Sequence, residues 1–122
     1  MTATDRLPLM PDQKPTVEQL QAAIARTEEA MRVHLRRTIP QASVFSFGAV
    51  DIHPKHLAFW VKTLTDTERD ALLSDPGFKP AMRAILLDAG YPADVVPLIG
   101  FTAESEETVE RDGGGNWWHR VK

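Results

Sequence analysis

The sequence predicts a small α+β fold in which a four-stranded, mainly antiparallel sheet carries helices packed on one face. Segments with apolar residues at helical spacing occur beside short segments in which apolar and polar residues alternate, as they do along strands. Short links join strands that are neighbours in the sequence, and short links favour antiparallel pairing. The predicted order of elements is therefore α-β-β-α-α-β-β.

A first helix is predicted from Thr16, which forms a capping-box pattern with Gln19. An apolar stripe with steps of three and four residues follows, and Pro40 ends the helix. We expect residues 1–15, which contain three prolines, to form an N-terminal arm. Residues 16–122 then make a single α+β domain, because 122 residues leave no room for a two-domain enzyme.

Residues 42–50 and 56–63 are the first two predicted strands. In both segments the larger apolar side chains recur at every second position, which is the period of a strand. The link between them is short enough to close an antiparallel hairpin.

Two helices are predicted next. Thr65 and Glu68 form another capping box, and residues 75–77 break the helix that follows it. A further helix begins near Pro80 and ends at Gly90, with apolar positions at Met82, Ile85, Leu86 and Ala89.

Residues 95–103 and 116–121 are the third and fourth predicted strands, the third with Pro97 at its start or on an edge. Between them lie an acidic segment at residues 104–112 and a run of three glycines. We interpret these glycines as a hinge or a hairpin turn, because carboxylates precede them and would repel a phosphate.

The composition limits the possible chemistry. The chain has no cysteine, which excludes disulfides, a thiolate nucleophile and Cys-bound zinc or iron–sulfur clusters. A net charge of −3 argues against a nucleic-acid partner. Neither a secretory signal nor an apolar run long enough for a spanning helix is found, so we expect a cytoplasmic protein without a membrane partner. No cofactor is expected.

A weak metal-site pattern occurs at Asp51, His53 and His56, where a carboxylate and two imidazoles lie close in sequence. Pro54 and the flanking strands place these residues on a turn, where spacing alone does not show that they converge. The alternative is that they are polar turn residues, with Asp51 bonded to nearby backbone amides.

The other two imidazoles, His34 and His119, are candidates for acid–base chemistry because a histidine titrates near pH 6.5. The sequence gives neither of them a partner. One hypothesis is therefore an enzyme or small-ligand protein with a pocket between sheet and helices, lined by an acidic residue and by His53, His56 or His119.

The most unusual local feature is the acidic segment, where five carboxylates and one guanidinium give residues 104–112 a net charge of −4. One interpretation is a solvated loop. The other is a docking surface for a protein with a basic surface, in which neighbouring tryptophans act as aromatic anchors. The candidate partner-binding residues are Glu104, Glu106, Glu107, Glu110, Asp112, Trp117 and Trp118.

The segment at residues 107–120 reads Glu-Thr-Val-Glu-Arg-Asp-Gly-Gly-Gly-Asn-Trp-Trp-His-Arg. It resembles the ending of small uncharacterised bacterial proteins, some of which occur near polymorphic toxin systems. The resemblance implies a small cytosolic α+β protein of the immunity type, which binds a partner and does not turn over a substrate.

Three functions therefore stay open. The first is a protein-binding module that uses the acidic segment and the tryptophans. The second is the histidine-based enzyme or ligand-binding protein described above. The third is a homodimer formed through the sheet face or through the first helix, whose apolar stripe would be partly uncovered in so small a domain.

Overall fold

The computed structural model describes residues 14–117, which form an α+β fold and thus confirm the predicted class. Within this range there are four α-helices and three strands, and a single 3-10 turn at Val96–Leu98 precedes the last strand. In chain order they are α1 (Val17–Leu35), β1 (Ser43–Phe47), β2 (Ala58–Thr63), α2 (Asp66–Ser74), α3 (Phe78–Asp88), β3 (Gly100–Ser105) and α4 (Glu106–Gly113).

Local sequence signals set the starts of three helices. Both predicted capping boxes are present, that of Thr16 with Gln19 at α1 and that of Thr65 with Glu68 at α2. The hydroxyl of Ser105 accepts a hydrogen bond from the Thr108 N–H and so caps α4. The acidic segment is therefore not a loop, because it supplies the end of β3 and most of α4.

The sheet has the order β1-β2-β3, with β1 antiparallel and β3 parallel to β2. The prediction of a mainly antiparallel sheet is wrong for β3. Two helices lie between β2 and β3, so the chain crosses back before it enters β3, and such a crossover joins parallel strands. Of the predicted fourth strand, residues 118–121 lie outside the described range, and residues 116–117 are not in a strand.

The two faces of the sheet carry different side chains. One face bears Phe59 and Val61 of β2 beside Phe101 and Ala103 of β3, and these join the buried residues of α1 and α3 in one hydrophobic core. The rings of Phe59 and Phe101 stack with their centroids 5.7 Å apart. The opposite face, which we call the outer face, bears the alternate residues of the same strands.

One hydrogen bond ties the link between β1 and β2 to the chain after α3. The hydroxyl of Tyr91 donates to the carbonyl of Pro54. Burial of the ring, which is 2% exposed, raises the pKa of Tyr91 to about 12. The hydroxyl therefore stays protonated and keeps donating at neutral pH.

None of the helices within residues 14–117 is both long enough and apolar enough to cross a membrane.

Candidate functional site

Aromatic side chains cluster on the outer face of the sheet. Phe45 of β1 and Trp60 of β2 are register partners, and their rings stack with centroids 6.3 Å apart. Trp117 meets Phe45 edge to face at 5.8 Å, and the Lys62 ammonium lies 5.4 Å from the Trp117 ring centroid. We call Phe45, Trp60, Lys62 and Trp117 the outer aromatic cluster. Its members are half-buried, so part of each side chain faces solvent.

Period-two alternation places the first three members of this cluster. Because Phe59 and Val61 point into the core, their neighbours Trp60 and Lys62 point the other way. Two glycines, Gly114 at φ 60° and Gly115 at φ 84°, lie in the segment that connects α4 to Trp117. Left-handed backbone of this kind favours glycine and ends the helix. The glycines thus form the turn that ends α4, whereas the sequence predicts a hinge or a hairpin turn between two strands.

A second group of side chains lies where α2, β3 and α4 meet, and we call it the polar junction. Arg69 of α2 donates to Glu104 Oε1 at 2.6 Å and to the Thr108 hydroxyl at 2.7 Å. Asp66 accepts hydrogen bonds from the hydroxyls of Ser105 and Thr108, and from Arg111 at 3.1 Å. The junction consists of Asp66, Arg69, Glu104, Ser105, Thr108 and Arg111.

The polar junction holds its charges in their ionised forms. Hydrogen bonds from the Ser105 and Thr108 hydroxyls, and then from Arg111, lower the pKa of Asp66. The hydrogen bond to Glu104 raises the pKa of Arg69. A carboxylate held in this way is a poor general base near neutral pH, because it keeps little affinity for a proton. The junction therefore has the properties of a structural ion network.

Of the acidic residues predicted to bind a partner, some take part in the polar junction and others lie on the surface. Glu104 is only 3% exposed, so we remove it from the predicted docking residues. The exposed Glu107 accepts the Asp66 N–H at 2.7 Å, which joins α4 to the start of α2. Asp112 is 3.4 Å from Arg111. Within residues 14–117 no ion pair reaches Glu106 or Glu110, the first half-buried and the second exposed.

Glu110 links the acidic helix to the aromatic cluster. A Cβ placed on Gly115 would lie 3.0 Å from Glu110 Oε2, so this carboxylate lies against the backbone two residues before Trp117. The structure thus brings an exposed carboxylate and Trp117 into one region, as the docking hypothesis requires. Trp118, the other predicted anchor, lies outside the described residues.

The metal-site candidates lie on an exposed turn. The His53 and His56 rings have centroids 6.0 Å apart, but nowhere in residues 14–117 do three His, Cys, Asp or Glu side chains group as metal ligands do. His53 Nδ1 accepts the Lys55 N–H at 3.1 Å. The neutral ring then carries its proton on Nε2, which has no lone pair left for a metal.

A cavity of about 180 Å³ lies elsewhere, between the end of α1 and the start of α3. Its lining includes the exposed His34, Arg37 and Asp75 and the buried Phe78 and Met82. Neither His53 nor His56 lines this cavity, and His119 lies outside the described residues. The cavity therefore contains neither His53 nor His56, the two described histidines that the pocket hypothesis names, and the histidine that lines it is His34, the other candidate for acid–base chemistry.

Some residues of the outer aromatic cluster and of the polar junction are not among the candidate site residues predicted from the sequence. Trp60 carries a signal, because alternation with its buried neighbours Phe59 and Val61 places it on the outer face, where Phe45 is its register partner in β1. Asp66 and Arg69 carry none for the junction, because their partners on β3 and α4 are 35 or more positions away along the chain.

No family model matches the chain, and comparisons with curated proteins and with solved structures also return no match.

Proposed function

We propose that this chain is a cytoplasmic protein-binding module that docks a partner with a basic surface. The docking surface combines the outer aromatic cluster with the exposed carboxylates of α4. The observation that carries the proposal is the position of Glu110 against Gly115, beside the turn that leads to Trp117. An aromatic anchor next to a charged rim is the usual composition of a protein interface.

The charge of this surface supports a basic partner. With Glu104 paired to Arg69, residues 105–112 keep four carboxylates and one guanidinium, hence a net charge of −3. Arg111 is itself engaged by Asp66 and Asp112. A surface of one sign speeds association with a partner of the opposite sign and weakens binding of the wrong partners. The immunity-type resemblance of residues 107–120 agrees with binding without turnover.

The test uses the double variant Glu106→Gln/Glu110→Gln, which removes two charges from α4 and leaves the Glu107 hydrogen bond in place. The matched control is Glu18→Gln/Asp94→Asn, which removes two exposed charges from other parts of the chain. Proteins captured from a lysate at low salt are identified, and their affinities for each variant are measured. We expect the α4 variant to lose about tenfold in affinity, or about 1.4 kcal/mol.

A second variant, Trp117→Ser, tests the aromatic part, because Trp117 belongs to the outer aromatic cluster and its half-buried side chain lies beside the turn that ends α4. We expect it to weaken the same complex at both low and high salt, whereas the loss from the α4 variant disappears as salt screens the charges. Equal affinity of the wild type, the α4 variant and the control for the captured protein would contradict the proposal.

A further inference from the structure

The cavity between the end of α1 and the start of α3 combines a buried apolar wall with an exposed, charged mouth. Its volume is about 180 Å³, and five apolar side chains line it. Three of these, Leu35, Phe78 and Met82, are at most 3% exposed. A mostly apolar lining with a few polar groups is typical of a small-molecule site. The cavity shares no residue with the outer aromatic cluster or with the polar junction.

Two unlike charges line this cavity without pairing with each other. Arg37 and Asp75 are both exposed there, and no ion pair joins them. In the described part of the chain the Arg37 guanidinium has no hydrogen-bond partner, whereas Arg36 donates from Nε to the Ala42 carbonyl at 2.8 Å. Asp75 Oδ1 accepts the Gly77 N–H at 2.9 Å, and a carboxylate has further lone pairs for a ligand.

We propose that this cavity binds a free α-amino acid with an apolar side chain. The ligand carboxylate accepts hydrogen bonds from the Arg37 guanidinium, and the ligand ammonium lies against the Asp75 carboxylate. The ligand side chain packs on Phe78 and Met82. His34 lines the same cavity and supplies a further N–H donor for the ligand carboxylate. This inference does not rest on the proposed docking function.

Charge and size together select this class of ligand. A simple carboxylate would meet the like charge of Asp75, and a simple amine would meet that of Arg37, whereas a zwitterion presents an unlike charge to each. A cavity of about 150 Å³ with apolar walls takes up benzene. The cavity of about 180 Å³ therefore has room for a phenyl ring or a branched aliphatic chain.

The first experiment is titration calorimetry of the full chain with L-phenylalanine, for which we expect a Kd of about 1 mM or lower. Two analogues test the two charges, because 3-phenylpropanoate lacks the ammonium and 2-phenylethylamine lacks the carboxylate. Each should bind at least about tenfold more weakly than L-phenylalanine. A Kd of L-phenylalanine far above about 1 mM, or equal affinity for the three compounds, would overturn the proposal.

Variants of the two charged residues locate the site. Arg37→Met should weaken binding of L-phenylalanine about tenfold, and so should Asp75→Asn, which keeps an oxygen acceptor for the Gly77 N–H. The matched controls Lys55→Met and Asp94→Asn each remove one exposed charge outside the cavity and should bind like the wild type. In amide NMR spectra of the wild type, L-phenylalanine should shift resonances at the end of α1 and the start of α3. Unchanged affinity of both cavity variants, or shifts confined to other elements, would also overturn the proposal.

Discussion

The polar junction and the outer aromatic cluster differ in how completely their groups are satisfied. In the junction, carboxylates meet guanidinium groups and hydroxyls, and within the described residues no buried polar side-chain atom lacks a hydrogen-bond partner. In the cluster, three aromatic rings lie half-buried on a sheet face. The polar junction thus contributes to the stability of the fold, while the outer aromatic cluster, which has fewer polar groups, is the region to which the proposed function assigns partner binding.

Replacement of Arg69 should show most clearly that the polar junction contributes to the unfolding free energy of the protein. Arg69→Met removes the guanidinium that contacts Glu104, a carboxylate only 3% exposed, at 2.6 Å. Breaking a buried pair in this way costs about 3 kcal/mol of unfolding free energy. Urea denaturation measures the loss. The control is Arg111→Met, which should cost much less, because the Arg111 side chain is 58% exposed and solvent screens its pairs. Equal losses would mean that burial does not distinguish these two ion pairs.

Acid should weaken the junction before it affects the cluster. In the folded state, hydrogen bonds from the Ser105 and Thr108 hydroxyls lower the pKa of Asp66 from its ordinary value of 3.8. Asp66 therefore contributes stability that is present above its unfolded pKa and is lost as pH falls through its folded pKa. We expect Asp66→Asn to be less stable than the wild type at neutral pH, with the gap shrinking below about pH 4. Thermal melts between neutral and acidic pH measure this gap, and a constant gap would contradict the assignment.

The cluster should show a measurable coupling between its rings. A double-mutant cycle of Phe45→Leu and Trp117→Leu isolates the edge-to-face contact at 5.8 Å. We expect a coupling of about 0.5–1.5 kcal/mol. Denaturant unfolding of the four proteins supplies the values, with Phe45→Leu and Leu98→Ala as a control pair, Leu98 being exposed outside the cluster. Additive losses at Phe45 and Trp117 would show that Trp117 does not rest on the sheet in solution.

The smallest expected effect is that of Lys62, whose ammonium lies over the Trp117 ring. Lys62→Met keeps the aliphatic stem and removes the charge, so stability should fall by only about 0.5 kcal/mol. Binding of a basic partner should increase, because a positive charge leaves the docking surface. Weaker binding of that partner would contradict the proposal that this surface docks a partner with a basic surface.

Much of the fold could be predicted because its signals are local. The capping boxes at Thr16 and Thr65 lie within three residues of each partner, and the alternation in β2 separates Phe59 from Trp60 directly. The ends of β3 were harder to predict. The apolar run before β3 begins in a 3-10 turn that contains Pro97, and periodicity alone does not distinguish a turn of this kind from a strand.

The candidate site was only partly predictable. The acidic segment and Trp117 stand out by composition. The burial of Glu104 depends on Arg69, 35 residues earlier in the chain, and nothing in the sequence near either residue shows the pairing. The same holds for Phe45 and Trp117, which meet although 72 positions separate them.

The sequence by itself determined the fold class, the positions of α1, α2 and α3 and the face on which each side chain of β2 lies, because propensity, capping and alternation act over a few residues. Only the tertiary structure decided that β3 runs parallel to β2, that Glu104 is an internal ion-pair partner and that Trp117 covers Phe45. These outcomes depend on contacts through which segments far apart in the sequence exclude water from one another. Such contacts produce no periodic pattern of residues along the chain, and this is the physical reason that they could not be predicted.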